Sequence, residues 1–195
     1  MTPKTVIFFG KQGSGKGTQA ALLEESLKAT APVFHFQTGH AFRELVAEDN
    51  YTSQKIKQTL PGGQIQPLFV VVWLWADAFV KNVTGKEHII ADGFPRRVTE
   101  AQILNAAFDF YGRNSVDVIN LTLDNTIALE RMLARGRSDD TKDAILERLE
   151  WHDREATPVI EYFRELRRYE VHDIDSSADV DEVAASIRKA LKING

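Results

Sequence analysis

Short apolar blocks alternate with longer amphipathic stretches along this chain. Thr5–Phe9, Val33–Phe36, His88–Ala91, Val116–Leu123 and Glu170–Ile174 read as strands. Helix-like runs cover Thr18–Ala29, Ala41–Glu48, Thr52–Thr59, Leu68–Asn82, Thr99–Phe110, Thr126–Arg135, Asp140–Arg167 and Asp179–Leu191. One run is ambiguous. Val70-Val71-Val72 favours strand by propensity, whereas the length of Leu68–Asn82 and the spacing of Trp73, Asp77, Val80 and Lys81 favour a helix. Pro61-Gly62-Gly63 marks a break. Alternation of this kind predicts an α/β fold in three layers, a parallel sheet of about five strands with helices on both faces. The chain of 195 residues suits a single domain.

Composition narrows the classes. A hydrophobic fraction of 43% is enough for a substantial core. The net charge of −4 provides no basic field for nucleic acid. The absence of cysteine excludes disulfides and thiolate metal sites, and fits a reducing compartment. The run Leu68–Trp75 gives way to Asp77, far short of a membrane span. Val6–Phe9 is too short for a signal peptide and leads directly into a glycine-rich loop. A cytoplasmic monomer with no membrane or nucleic-acid partner is expected. His35, His88, His152 and His172 are scattered without a metal-ligand spacing.

That loop carries the chemistry. Gly10 to Thr18 reads Gly-Lys-Gln-Gly-Ser-Gly-Lys-Gly-Thr between the first strand and the first helix. Glycines let backbone N–H groups of Gly13, Ser14 and Gly15 turn inward around a phosphate chain, and the helix N-terminus adds positive potential. Lys16 supplies a mobile cation for the outer phosphates. The P-loop pattern calls for Ser or Thr directly after the lysine. Here Gly17 stands there and Thr18 follows, so the usual hydroxyl ligand to magnesium is displaced by one position. A second string, Asp92-Gly93-Phe94-Pro95-Arg96, follows the strand His88–Ala91. Ligands bind beyond the carboxyl ends of parallel strands. If the two strands are neighbours, Asp92 and Arg96 stand beside the bound phosphates. The carboxylate would hold Mg²⁺ directly or through water, and the guanidinium would grip phosphate with two hydrogen bonds.

With these motifs in place, the chain resembles the adenylate kinase family of nucleoside monophosphate kinases, from Val6 to about Val183. The loop Gly10–Thr18 with Gln19, the string Thr38-Gly39-His40-Ala41-Phe42-Arg43, the segment Gly63–Pro67, the string Asp92–Arg96, and Arg137-Ser138-Asp139-Asp140 with Arg148 match that family's motifs in order. The resemblance implies a small helical insert over 37–67 for the acceptor nucleotide and a very short lid over 135–140. It also implies roles. Lys16 would bridge phosphates. Thr38, Arg43, Gln64, Ile65, Gln66 and Glu100 would contact the acceptor, together with Gly93, Phe94, Pro95 and Arg96. Asp92 would organise Mg²⁺ through water. Arg131, Arg135 and the backbone of Ala178 would serve ATP. Arg137 and Arg148 would close on the transferring phosphoryl group and the acceptor phosphate.

The implied reaction is ATP + AMP ⇌ 2 ADP, with Mg²⁺ and without a covalent intermediate or structural zinc. Phosphoryl transfer spreads negative charge in its transition state, which these cations are suited to meet. Arg137 and Arg148, eleven positions apart, would face one way if a single helix began early enough. Where this chain departs from the pattern, the acceptor base is open. His40 replaces an Asp, Gln66 an apolar residue, and Glu100 the family's base-reading Gln. An ionised carboxylate only accepts hydrogen bonds, which suits guanine better than adenine. Gln102 or Gln66 could read adenine instead. A kinase for GMP, UMP, CMP or a deoxy-monophosphate stays open, as does a nucleotide sensor without transfer.

Overall fold

The computed structural model describes residues 3–59, 66–136 and 141–193. Five strands form one parallel sheet in the order β2-β3-β1-β4-β5. They are β1 Thr5–Gly10, β2 Val33–Gln37, β3 His88–Asp92, β4 Val116–Thr122 and β5 Tyr169–Asp175. The helices are α1 Lys16–Lys28, α2 Thr38–Ala47, α3 Tyr51–Thr59, α4 Leu68–Asn82, α5 Val98–Phe110, α6 Asn125–Arg135, α7 Lys142–Trp151, α8 Thr157–Arg164 and α9 Val180–Ala190. The three-layer α/β expectation holds.

Period-two alternation sorts the strand residues onto two cores. Val6, Phe8, Ile90, Ile119 and Leu121 pack against α1 and α9. Ile7, Phe9, Ile89, Ala91 and Val118 pack on the other face, against residues of α4, α5 and α8. The ambiguous run is a helix with the predicted bounds. Trp75 and Phe79 point into the core at 2% and 1% exposure, while Phe69 and Val80 are exposed. Its apolar residues occupy both sides, which is why the sequence pattern alone is weak.

Two expected helices are redrawn. The run Asp140–Arg167 is not one helix. Thr141 caps α7, its hydroxyl accepting from Ala144 N–H, and a π-helical turn at His152–Ala156 separates α7 from α8. Pro158 lies in the first turn of α8. It has no N–H to donate to the carbonyl four residues back, so the chain widens there. The single helix that would align Arg137 with Arg148 is therefore absent: α7 begins only at Lys142. The second change is at α2, which starts at Thr38 rather than Ala41. Thr38 and Gly39 thus stand in the first turn of a helix, where backbone N–H groups have no partner within the helix and can meet an anion.

Candidate active site

β1 lies between β3 and β4, so the connection leaving it changes direction across the sheet. A crevice opens at such a switch point. Register places Phe8 beside Asp92, so the two motifs are neighbours, the condition that the sequence left open. The loop after β1 is shaped by close backbone approach. Gly10 has φ +135° and a Cβ there would come within 2.6 Å of Leu121 O. At Gly13, with φ +86°, a Cβ would meet the Ala128 carbonyl at 2.9 Å. No side chain fits either position. Gly15 precedes the first turn of α1, which begins at Lys16 itself.

Lys16 Nζ donates to Gly10 O at 2.6 Å and to Lys11 O at 2.7 Å. It is curled onto its own loop. Burial holds its ammonium down at about 8. Asp92 pulls the other way, and Arg96 and Arg135 add to the depression. Lys16, Asp92, Arg96 and Arg135 therefore share one electrostatic environment. Burial raises the Asp92 carboxyl, while Lys16, His35 and Arg96 oppose that rise. A Cβ at Gly17 would stand 3.6 Å from Asp92 Oδ2. The bare glycine keeps the space between helix start and carboxylate clear. A carboxylate facing a phosphate loop suits a hard cation with oxygen ligands.

Thr38 is buried and its hydroxyl donates to Asp92 O at 3.3 Å. Arg96 Nε donates to Gly93 O at 2.8 Å, and a Cβ on Gly93 would stand 3.5 Å from Thr38 Oγ1 and 3.6 Å from Arg96 Nη2. Arg43 is exposed and folds back along α2 toward Gly39. Thr38, Gly93 and Arg96 thus form one patch, with Phe94 and Pro95 buried beneath it. Glu100 belongs to the same patch but turns inward. It is 2% exposed; Oε2 accepts from Arg96 N–H at 2.8 Å, and Oε1 is buried without a partner. Burial raises its carboxyl above the usual range, against the backbone bond and charge of Arg96. Gln66 is buried, its amide oxygen accepting from Thr59 Oγ1 at 3.2 Å, and Gln102 is exposed.

On α6, Arg131 donates to Ser176 O at 2.8 Å and Ser177 O at 3.0 Å. This holds α6 against the loop that carries Ala178, which is exposed. Arg148 Nε donates to Ala144 O at 3.0 Å along α7. Gln64, Ile65 and Arg137 lie outside the described residues, as do the rest of the lid string, Ser138–Asp140, and Gly63 of the acceptor segment.

Sequence reasoning missed a polar cluster at the base of this crevice. Lys11 Nζ donates to Asn125 Oδ1 at 2.5 Å and pairs with Asp153 Oδ1 at 3.5 Å. Asn125 Nδ2 donates to Asp153 Oδ2 at 3.2 Å. Beside it, burial holds His152 down at about 4, and Lys16 adds to the effect. The only signal in the sequence was a second lysine inside the glycine loop. His172 also has company that its spacing did not reveal. Its Nε2 lies 3.0 Å from Asp117 Oδ1, and with Glu170 these ligand atoms fall within 4.8 Å of one another. That group stands on β4 and β5 near their amino ends, where Lys4 is 3.8 Å from Asp117. Among the described residues, no helix is long and apolar enough to cross a membrane.

The fold and crevice define a P-loop phosphotransferase of the nucleoside monophosphate kinase class. The sequence matches the family model for adenylate kinase over residues 8–168. It is 32% identical over 186 residues to an adenylate kinase of Corynebacterium glutamicum, covering 95% of this chain and 98% of that protein. Adenylate kinase 1 of Synechocystis is 31% identical over 189 residues, covering 97% of each. An adenylate kinase of Mycobacterium tuberculosis is 32% identical, with 95% and 98% covered. The chain belongs to the adenylate kinase family.

Proposed function

We propose that this chain catalyses ATP + AMP ⇌ 2 ADP by direct in-line transfer between two nucleotides held at once. The observation that carries the reading is the pairing of Phe8 with Asp92. It sets the phosphate loop and the Asp92–Arg96 string side by side at one end of the sheet. The donor triphosphate would lie in the loop Gly13–Thr18, with Lys16 leaving the loop carbonyls for the outer phosphates. Arg131 and the backbone at Ala178 would flank the donor base, and Arg135 the donor phosphates. The acceptor phosphate would meet Arg96, Arg43 and the first turn of α2 at Thr38. The acceptor base would enter the insert 37–67, along Gln64–Gln66.

Catalysis is then positioning plus positive charge rather than a covalent step. Lys16, Arg96, Arg135, Arg137 and Arg148 would meet the charge that spreads over the transferring group. Mg²⁺ bound with ATP would be held by the triphosphate and, through water, by Asp92; it would neutralise charge on the outer phosphates. The short lid 135–140 would bring Arg137 and Arg148 inward. What supports AMP over GMP is the inward turn of Glu100. The acceptor-only carboxylate that would suit guanine is engaged with Arg96 N–H instead.

A coupled assay with ATP and a panel of AMP, GMP, UMP, CMP and their deoxy forms tests the reading. AMP should give the highest kcat/KM. A higher value for GMP would overturn the acceptor assignment, and transfer to no monophosphate would make the chain a nucleotide sensor.

A further inference from the structure

α6 and α7 are the two arms on either side of residues 137–140, and they pack on each other. Leu123, Ala128, Met132, Ile145 and Leu149 give them an apolar core of their own, apart from the two cores on the sheet. Each arm of 11 or 10 residues is about 15 Å long. The foot of the first arm is Asn125, the first residue of α6. The foot of the second is the turn His152–Ala156, which starts with His152 and Asp153. One ammonium reaches both feet: Lys11 Nζ bonds Asn125 Oδ1 and pairs with Asp153 Oδ1, and Asn125 closes the triangle onto Asp153 Oδ2. The backbone of the same residue accepts from the Lys16 ammonium.

We propose that Lys11 is a positioning residue for phosphoryl transfer: it ties the feet of both arms to the phosphate loop and so sets where Arg135 and Arg148 stand relative to Lys16. The inference rests on the transfer reaction proposed above. Magnitudes separate this role from a structural one. Asp153 is 48% exposed, and an ion pair of that kind contributes about 0–1 kcal/mol to stability. A displacement of about 1 Å at reacting groups, by contrast, can cost on the order of 10²-fold in rate. Asp153 is held below the usual carboxylate range against the upward push of burial. The bond from Asn125 and the charge of Lys11 hold it there, with His152 adding to them. It thus stays ionised at neutral pH and keeps the clasp closed.

The test uses the full chain. Because it has no cysteine, Glu147→Cys on α7 and Lys189→Cys on α9 give a unique pair of spin labels. Lys11→Met should keep the melting temperature, lower kcat about 10- to 100-fold, and leave KM for ATP within about threefold. The distance distribution between labels should broaden. Lys11→Arg should restore most of the rate, and Lys11→Met with Asp153→Asn should be no slower than Lys11→Met alone, because one clasp is lost only once. Unchanged kcat overturns the proposal. So does a raised KM for ATP with an unchanged distance distribution, which would make Lys11 a direct phosphate contact. If the parent protein phosphorylates no monophosphate, the transfer reading falls, and the distance distribution alone decides the clasp.

Discussion

The two ends of the sheet treat their charged groups differently, although the amino end also buries two polar atoms without partners, Thr5 Oγ1 and Arg168 Nη1. At the amino end, before β3, Glu87 and Arg113 are both buried and meet at 2.5 Å, and Arg113 also donates to Glu87 O at 3.0 Å. Glu87 takes further bonds from Thr84 N–H and its hydroxyl. His88 accepts from Lys4 N–H at 2.8 Å and bonds the Thr30 hydroxyl at 2.9 Å. At the carboxyl end the groups are incompletely met. Lys16 falls back on loop carbonyls, and Ser14 Oγ, Glu100 Oε1 and His152 Nε2 are buried without partners. Buried polar groups in folded proteins are normally satisfied. What sets the carboxyl end apart is a buried ammonium that falls back on the carbonyls of its own loop beside unmet hydroxyl, carboxyl and imidazole atoms, an arrangement for a ligand rather than for stability.

The comparison breaks first if the closed end matters for catalysis. Arg113→Met should cost about 3–5 kcal/mol of stability, because it strands a buried carboxylate. Turnover of the fraction still folded should be unchanged. Burial works against Glu87, yet the Thr84 and Gly85 bonds bring its carboxyl from 4.5 down to about 2. Its contribution is present above about 4.5 and is lost as pH falls toward 2. Urea melts with parallel kinetics measure both quantities. A loss of kcat at full folding would erase the distinction between the ends.

At the open end, Lys16→Ala should do the reverse. Circular dichroism and melting temperature should hold, while kcat falls on the order of 10²–10³-fold, the usual cost of one donor to developing charge. Near-normal turnover in a folded variant would remove Lys16 from the mechanism.

The depressed Lys16 ammonium sharpens the contrast through pH. In the free enzyme it is charged below about 8 and neutral above. Hence kcat/KM for ATP should fall as pH rises through 8, up to about tenfold per unit. Bound phosphates favour the charged form, so kcat should hold to higher pH. Folding shows the opposite sign. A lysine lowered from 10.5 to about 8 makes the native state bind fewer protons in that window, so stability rises with pH there. Arginine stays charged throughout; a drop retained in Lys16→Arg would assign it to another group.

How much of this was legible beforehand depended on how local the signal is. Gly10–Thr18 and Asp92–Arg96 each follow an apolar block, which put both at the carboxyl end of one sheet but left open whether their strands are neighbours. The bounds of α4 followed from length. Pro158 marks the break at His152–Ala156 in the sequence itself, since a proline inside a helical pattern ends or widens it. The start of α2 at Thr38 had no such mark. The Lys11 cluster spans 114 positions to Asn125. No period or spacing joins residues so distant; only the folded sheet does.

Glu100 is where the two ends come closest in kind: a buried carboxyl like Glu87, but with one oxygen left without a partner. Glu100→Gln should therefore have the smallest effect. The amide oxygen can still accept from Arg96 N–H. Burial raises the native carboxyl above 4.5, so the folded state holds its proton longer than the unfolded chain. Stability then declines as pH rises from about 4.5 through the raised value. Gln removes that decline. The variant should match the parent near pH 4 and exceed it at pH 7 to 8 by about 1 kcal/mol, the lower range for an unmet buried group. Melts across that pH range decide it. An equal or lower melting temperature at pH 8 would mean that the carboxylate is fully satisfied by Arg96. Because Glu100 faces Arg96 N–H rather than the base, the ratio of kcat/KM for AMP to that for GMP should stay within about threefold of the parent value. A far larger change would show that Glu100 swings out to meet the base, and would make the open end still less finished than its resting geometry shows.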